Sequence, residues 1–202
     1  NQMSEEVLPE FGKMKYWDDG YKTGEAPAEW FIPYSTIHDF VHKHLDTNKK
    51  VLVIGCGTSS LSNDMYEEGY KDIQSMDYSP EAIEEMKVKY PHLEWKVMDV
   101  RKMDYQTGEF DSIVDKGTLD CLFFLDETNE EIKKMLAEVS RILKPEGQYV
   151  VVTCGHPMQR MEVFSDPVYN WKVIDWDEFE PPDGSYTHPS AFVYCMKKNK
   201  EE

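Results

Sequence analysis

The sequence predicts an α/β fold: a doubly wound, seven-stranded, mostly parallel sheet with an antiparallel C-terminal strand and helices on both faces. Short apolar runs alternate with amphipathic helical patterns along the chain, and five of these runs are continuous enough to be buried on both faces. Two later runs are rich in β-branched and aromatic residues. The length of 202 residues favours a single domain.

The first predicted elements are a helix and a strand. Residues 34–46 carry apolar side chains on one helical face, which predicts a helix beside the sheet. The apolar run "KVLVIG" that follows, at 50–55, predicts the first strand. The next four strands are predicted at "IQSMD" (73–77), "LEWKVMD" (93–99), "FDSIVD" (110–115) and "QYVVVT" (148–153).

Two helices between these strands have local start signals. Ser79 and Pro80 form an N-cap and first-turn pair, and the helix that they begin must end at the next proline. Thr128 and Glu131 form a capping-box pattern ahead of a long apolar stripe. The second helix should stop at "KPEG" (144–147), a predicted turn that leads into the fifth strand.

Two last strands are predicted after residue 153. "VYNWKVIDW" (168–176) and "SAFVYCMKK" (190–198) have strand composition, and "EPPDGS" (180–185) between them is typical of a turn. An antiparallel pair follows from this arrangement.

Charge and cysteine content narrow the classes of partner and compartment. The net charge of −17 repels phosphate backbones and anionic membranes, so neither nucleic acid nor membrane is expected as a partner. A cationic ligand or a basic protein surface suits this field, and acidity that serves only solubility is the alternative. The scattered cysteines favour free thiols in the cytoplasm over disulfides or zinc, and neither a signal peptide nor an apolar run of about 20 residues is found. These cysteines are Cys56, Cys121, Cys154 and Cys195.

A glycine-rich turn and two acids predict a ligand site at the strand ends. Gly55 and Gly57 follow the first strand, where a ligand of a doubly wound sheet approaches the backbone. Asp77 ends the second strand, and its separation from Gly55 along the sequence is that expected for a carboxylate that binds ribose hydroxyls. Asp99 and Val100 end the third strand, where a carboxylate and a backbone N–H could read adenine. A plain turn and loop-starting aspartates are the alternatives.

The same stretch favours one nucleoside cofactor over others. The place of a third glycine is taken by Ser60, and no basic residue lies between Gly55 and Lys71, which disfavours a pyrophosphate ligand such as NAD. The phosphate-binding pattern G-x-x-x-x-G-K-[ST] is absent too. S-adenosyl-L-methionine, which has a sulfonium cation and no phosphate, suits an acidic site better.

Several motifs together resemble a known enzyme family. "VLVIGCGTSSLS", "SMDYS", "MDVRKMD" and "FDSIVDKGTLD" resemble the Rossmann-like, seven-strand class I methyltransferases. With "YWDDGY" (16–21) and "AEWF" (28–31), they resemble the methyltransferase-like family that includes the lysine methyltransferases of eukaryotic translation elongation factor one-alpha. The resemblance covers residues 14–153. It implies a protein-lysine N-methyltransferase that uses S-adenosyl-L-methionine and acts on a translation elongation factor or a similar protein.

The resemblance implies ten cofactor-binding residues. The glycine turn would line the methionine moiety, the acid of the second strand would hold the ribose, and the acid of the third would read adenine. A lysine after the fourth strand would lie near the transferred methyl group through its backbone. Three N-terminal aromatic residues would close over the cofactor, with core packing as their alternative. The ten are Trp17, Tyr21, Trp30, Gly55, Gly57, Asp77, Tyr78, Asp99, Val100 and Lys116.

No catalytic residue and no metal site is assigned from the sequence. Asp115 and Asp120 are placed to orient an incoming ammonium, but both could equally be turn or cap residues. The histidines of the first predicted helix, His38, His42 and His44, fit a solvated face better than a metal site, and His156 and His188 stay unassigned.

The resemblance divides the chain into three parts and leaves two other functions open. Residues 1–48 would cover the cofactor, 49–153 would form the binding core, and 154–202 would supply substrate-side loops and the final strands. A small-molecule methyltransferase of the same fold and a non-catalytic protein that binds S-adenosyl-L-methionine are the alternatives.

Overall fold

The computed structural model describes residues 10–125, 128–182 and 190–201. The strands are β1 Val51–Ile54, β2 Ile73–Asp77, β3 Glu94–Val97, β4 Phe110–Lys116, β5 Leu143–Thr153, β6 Trp171–Phe179 and β7 Ala191–Lys198. The helices are α1 Met14–Thr23, α2 Tyr34–His44, α3 Leu61–Glu67, α4 Pro80–Lys89, α5 Thr118–Leu122, α6 Glu130–Ile142 and α7 Pro157–Phe164, with a 3-10 turn at Pro167–Tyr169.

The seven strands form one sheet in the order β3-β2-β1-β4-β5-β7-β6. The pairs among β1 to β5 are parallel, and β7 runs antiparallel to both of its neighbours, β5 and β6. The predicted fold class is therefore confirmed. Because the chain leaves β1 toward β2 and later returns on its other side at β4, a crevice opens beyond the carboxyl ends of β1 and β4.

Helices pack on both faces of the sheet. Leu52 and Ile54 of β1 belong to a buried cluster with α5 and α6, whereas Val51 and Val53 belong to a second cluster with α2, α3 and α4. This alternation follows from the two-residue period of a strand. A strand buried on both faces needs the continuous apolar run that predicted it.

The start signal of α4 is confirmed. The Ser79 hydroxyl accepts a hydrogen bond from the Ala82 N–H at 3.2 Å, and Pro80 occupies the first turn. The predicted helix over 34–46 is also found, with Ile37 and Val41 fully buried.

The predicted capping box of α6 is wrong about the cap residue. The helix begins at Glu130, and its N-cap is Asn129, which has a φ of 59° and makes no side-chain capping hydrogen bond. The Glu131 carboxylate accepts hydrogen bonds from Arg101 and Lys134, each at 2.8 Å. In the predicted capping box, the Glu131 carboxylate would accept a hydrogen bond from the backbone N–H of the cap residue. In the structure it pairs with Arg101 and Lys134.

The "KPEG" segment lies inside β5 and does not precede it. The strand begins at Leu143, directly after α6, and Phe110 faces Leu143 while Ser112 faces Gln148. The extra residues of β5 bulge out of the ladder, and Glu146 takes a φ of 65° there. The predicted turn is therefore a bulge within the strand.

The C-terminal strand pair is confirmed, with Trp171 facing Lys198 and Phe179 facing Ala191. The predicted turn at 180–185 lies partly outside the described residues. The sequence did not predict α7, which begins with a capping box between His156 and Gln159. None of the described helices is long and apolar enough to cross a membrane.

Candidate functional site

A pocket lies at the carboxyl ends of β1 to β4, under α1 and the segment that follows it. All ten residues that the sequence predicts for cofactor binding line this pocket. Ten further residues line it, and most of them are neighbours of the predicted ones. These are Pro27, Ala28, Cys56, Thr58, Ser59, Met98, Gly117, Thr118, Cys121 and Leu122.

The glycine turn is shaped by its protein neighbours. Gly55 and Gly57 have φ values of 57° and 49°, which residues other than glycine rarely adopt. A Cβ at Gly55 would lie 1.7 Å from the Thr118 hydroxyl, and a Cβ at Gly57 would lie 2.5 Å from the Tyr21 hydroxyl. The sequence predicts a ligand against these positions, and in the structure close contacts with Thr118 and Tyr21 already require both glycines.

Asp77 ties the glycine turn to the start of α4. One carboxylate oxygen accepts from the Gly57 N–H and the other from the Ser79 N–H, both at 2.9 Å. Burial raises the pKa of this carboxyl, although the backbone hydrogen bonds act in the opposite direction. Each oxygen retains a second lone pair, so the group can also accept hydrogen bonds from the two hydroxyls of a ribose.

Asp99 is held by an arginine that the sequence did not single out. The Arg101 guanidinium donates to both Asp99 oxygens, at 2.9 and 2.6 Å, and also to Glu131 at 2.8 Å. Burial acts to raise the pKa of Asp99, but the Arg101 hydrogen bonds outweigh it and hold the pKa below its ordinary value. This carboxylate is ionised and fixed at the pocket edge.

The predicted aromatic residues form one wall of the pocket. The rings of Trp17 and Trp30 meet edge to face at 5.4 Å, and Tyr21 lies 6.2 Å from Trp17. Trp17 donates its indole N–H to the Phe11 carbonyl at 2.7 Å and is only 6% exposed. The sequence left core packing and pocket lining as alternatives for these aromatic residues. In the structure the same rings pack against one another and line the pocket.

Lys116 and Glu29 form an ion pair beside the pocket, in which the lysine is buried and the glutamate is partly exposed. The Lys116 side chain is 3% exposed, pairs with the Glu29 carboxylate and donates to the Ile32 carbonyl at 3.1 Å. The other Glu29 oxygen accepts from the Ser59 hydroxyl at 2.6 Å and from the Ser60 N–H at 2.9 Å. Glu29 was missed as a functional candidate, although it lies within the "AEWF" motif.

Asp115 has a structural environment. Asp115 is not one of the described residues that line the pocket. It is fully buried and accepts hydrogen bonds from the N–H groups of Thr118 and Leu119 and from the Tyr149 hydroxyl, at 2.9, 3.2 and 2.9 Å. Burial raises its pKa to about 7. These contacts favour the cap alternative over a role in the reaction.

Asp120 joins α5 to the end of β5. One oxygen accepts from the Thr153 hydroxyl at 2.6 Å and from the Arg160 guanidinium at 3.0 Å. The other oxygen is buried and has no hydrogen-bond partner among the described residues. Within that part of the chain, Asp120 likewise lies outside the pocket lining. Its contacts also favour a structural role.

The histidines of α2 pair with acids at the surface. His42 lies 2.7 Å from Glu68, and His44 lies 2.7 Å from Asp175. His156 caps α7, and His188 lies outside the described residues. Over residues 10–125, 128–182 and 190–201, no cluster of three or more His, Cys, Asp or Glu side chains is arranged to hold a metal ion.

The pocket chemistry suits a nucleoside that carries a positive charge. Lys116 is the only basic residue among the described lining residues, and Glu29 already neutralises it. A pyrophosphate would therefore find no free cation in this part of the chain, whereas two carboxylates and four aromatic rings face the pocket. Such a lining fits an adenosine linked to a sulfonium.

Comparisons with known proteins point the same way. A methyltransferase domain family matches residues 45–182. EEF1A lysine methyltransferase 4 of Mus musculus is 33% identical over 183 residues, which cover 82% of this chain and 72% of that protein. The Bos taurus protein of the same name is also 33% identical and covers 96% of this chain and 80% of its own length. The eEF1A lysine and N-terminal methyltransferase of Homo sapiens is 36% identical, over 71% of this chain and 22% of its own length.

Solved structures share the fold. A SAM-dependent methyltransferase from Methanosarcina mazei has a TM-score of 0.66 and 20% identity, over 80% of this chain and 98% of that chain. The 1,6-didemethyltoxoflavin-N1-methyltransferase of Burkholderia thailandensis, with bound S-adenosylhomocysteine, has a TM-score of 0.69 and 16% identity, over 93% of this chain and 87% of that chain. At these identities the likeness shows the fold alone.

Proposed function

This chain belongs to the SAM-dependent methyltransferases, and from that premise we propose that it is a protein-lysine N-methyltransferase acting on a translation elongation factor or a similar protein. The observation that carries the proposal is the 33% identity to two proteins named EEF1A lysine methyltransferase 4, over 82% and 96% of this chain. S-adenosyl-L-methionine is the cofactor of this enzyme class, and the pocket lining suits it.

The ten pocket residues receive the roles that the sequence predicted. Asp77 would accept hydrogen bonds from the ribose hydroxyls, with Tyr78 against the adenine. Asp99 and Val100 would read the adenine edge, and Gly55 and Gly57 would lie along the methionine moiety. The backbone of Lys116 would face the sulfonium end. The rings of Trp17, Tyr21 and Trp30 would cover the cofactor, since aromatic faces stabilise a cation by about 0.5 to 2 kcal/mol.

The reaction requires placement and exclusion of water. When bound, S-adenosyl-L-methionine would supply an electrophilic methyl group. A lysine that has already released its proton to solvent would attack this carbon in line with the S–C bond, and the electron pair of that bond would stay on sulfur. A lysine with an ordinary pKa of about 10.4 needs roughly 4.6 kcal/mol to become neutral at pH 7. Burial of the amine beneath the aromatic wall of Trp17 and Trp30 would supply part of this cost, because desolvation disfavours the ammonium.

The remaining parts of the proposal concern the partner, the compartment and the organisation of the chain. A net charge of −17 complements a basic protein surface and steers its approach. A cytoplasmic location follows the same assignment, since translation factors work there. Residues 1–48 would form the N-terminal cofactor-covering segment and helix, 49–153 the cofactor-binding core and 154–202 the substrate side of one domain.

The experiment uses purified protein, S-adenosyl-L-methionine with a labelled methyl group, and a lysate from cells that lack this gene product. We expect label in a protein band of elongation-factor size, and mass spectrometry should locate the methyl groups on lysine. Purified elongation factor one-alpha then serves as the defined substrate. The Asp77→Ala variant controls for label that is transferred by lysate enzymes.

Two outcomes would reject the proposal. Label confined to the small-molecule fraction would make the chain a small-molecule methyltransferase. Tight binding of the cofactor with no transfer to any fraction would make it a non-catalytic binding protein.

A further inference from the structure

The segment that covers the pocket is attached to the rest of the domain at two places. Near its start, Asp18 of α1 accepts a hydrogen bond from the Ser79 hydroxyl at 2.8 Å, at the beginning of α4. Near its end, Glu29 lies between the glycine turn and Lys116. The roof residues between or beside these points include Tyr21 and Trp30. We call residues 14–32 the cover.

The Glu29 fastening is the one that holds a buried charge. Lys116 is 3% exposed on its side chain, and a buried ammonium without a partner is costly. Its ammonium donates hydrogen bonds to the Glu29 carboxylate and the Ile32 carbonyl, and both of these groups belong to the cover. Opening the cover therefore removes both contacts from this ammonium at once.

Glu29 also touches the turn that lines the pocket. Its second oxygen accepts hydrogen bonds from Ser59 and Ser60, which directly follow the glycine turn, at 2.6 and 2.9 Å. Trp30, the next residue, is part of the pocket wall. One carboxylate thus fixes the cover against two sides of the pocket, the β1 end and the β4 end.

We propose that Glu29 is a positioning residue that holds the cover closed over the cofactor and so sets how fast the cofactor leaves. It acts through Trp30 and Lys116 and does not touch the cofactor itself. The inference rests on the proposed function, because it takes the pocket as the site of S-adenosyl-L-methionine. Exchange of the cofactor requires the cover to open, and the Glu29 to Lys116 pair must separate each time.

The test measures release of S-adenosylhomocysteine in a stopped-flow chase, with the fluorescence of the cover tryptophans as the signal. Glu29→Gln keeps the shape but removes the charge, and we expect release to become at least tenfold faster and the KM for S-adenosyl-L-methionine to rise more than kcat changes. Glu29→Asp keeps the charge on a stem too short to span both sides, so its release rate should lie between those of Glu29→Gln and the wild-type protein. Glu25→Gln, at an exposed acid of the same segment, should stay within twofold of the wild type.

The outcomes separate a positioning role from a structural one. A lower Tm for Glu29→Gln with release within twofold of the wild type would overturn the proposal. Were Glu29→Gln not to fold, wild-type release rates in Glu29→Asp would overturn it equally. A wild-type protein that binds neither cofactor form would instead contradict the proposed function, and this inference would fall with it.

Discussion

Asp77 accepts protein hydrogen bonds with both carboxylate oxygens, and in the proposed site the same two oxygens would bind the ribose. Its hydrogen bonds to Gly57 and Ser79, both 2.9 Å long, fix the glycine turn against α4. The lone pairs that remain are aligned by these bonds before any ligand arrives, which lowers the ordering cost of binding. We therefore expect a substitution of Asp77 to change cofactor affinity more than a substitution of an exposed acid.

The first prediction concerns this residue. Asp77→Ala should weaken the binding of S-adenosyl-L-methionine by about 1.5 to 3 kcal/mol, because charge-assisted hydrogen bonds to the ribose are lost. Isothermal titration calorimetry measures the change. Asp72→Ala, at an exposed acid just before β2, is the matched control and should bind normally. Unchanged affinity in a folded Asp77→Ala protein would reject the ribose assignment.

The second prediction concerns Asp115 and pH. Burial raises the pKa of this carboxyl to about 7, above the value of 3.8 expected in the unfolded chain. The folded state therefore holds the extra proton between these two values, and the contribution of Asp115 to stability falls as the pH rises from about 4 to about 7, by at most about 1.4 kcal/mol per pH unit.

Asp115→Asn lacks this proton. Urea unfolding at pH 5, 6, 7 and 8 should show the stability of the wild-type protein falling relative to that of the variant, with little further change above pH 7. The histidines cancel in this comparison because both proteins contain them. Parallel pH curves for the two proteins would contradict the raised pKa.

Residues of the site differ in how far the sequence alone could reveal them. Asp77 ends β2 and Asp99 follows the end of β3 by two residues, so the strand pattern places both at the same edge of the sheet. Glu29 meets a lysine 87 positions away, and Arg101 meets Glu131 30 positions away. Such pairs depend on the folded arrangement of the chain and leave no local spacing to detect.

At the scale of elements, the sequence patterns predicted most strands and helices correctly but misplaced some of their ends. The apolar runs of β1, β2 and β4 and the stripe of α2 bury large areas, and this burial outweighs local alternatives. The cap of α6 and the bulge of β5 lie next to distant parts of the chain: Glu131 of α6 pairs with Arg101, and the bulge faces Phe110 and Ser112 of β4. A local sequence pattern does not contain these contacts, and it predicted the wrong cap residue and a turn in place of the bulge.

The third prediction tests the bulge in β5. A Cβ at Gly147 would lie 2.7 Å from the Lys144 carbonyl oxygen and 2.9 Å from that of Asp111. Gly147→Ala should therefore destabilise the protein by about 1 to 3 kcal/mol, since backbone must move. Glu146→Gly should stabilise it by up to about 1 kcal/mol, because its φ of 65° suits glycine. Urea unfolding checks both, and equal effects of the two variants would contradict the bulge geometry.

At the scale of the whole molecule, the net charge influences which partners approach the protein, a property that the fold alone does not determine. The chain carries 22 basic and 39 acidic side chains, which gives the net charge of −17. The pocket itself holds only two carboxylates and the neutralised Lys116 among its described lining residues. The excess negative charge therefore lies mostly outside the pocket, where it acts on the approach of a partner and contributes little to cofactor binding.

The last prediction follows from this separation. Raising the salt concentration from 20 to 200 mM shortens the Debye length from about 20 Å to about 7 Å and screens attraction between distant surface charges. For a basic protein substrate, kcat/KM should fall about tenfold, because electrostatic steering raises association rates by one to three orders of magnitude. The Kd of S-adenosyl-L-methionine should change less than twofold, since the residues proposed to hold it, such as Asp77 and Trp17, are buried and would act at short range. Methyl transfer measured at both salt concentrations, beside calorimetry of the cofactor alone, distinguishes the two effects. The prediction is contradicted if kcat/KM stays constant and the cofactor affinity falls. The charges that matter would then act on the cofactor in the pocket and not on the approach of the substrate.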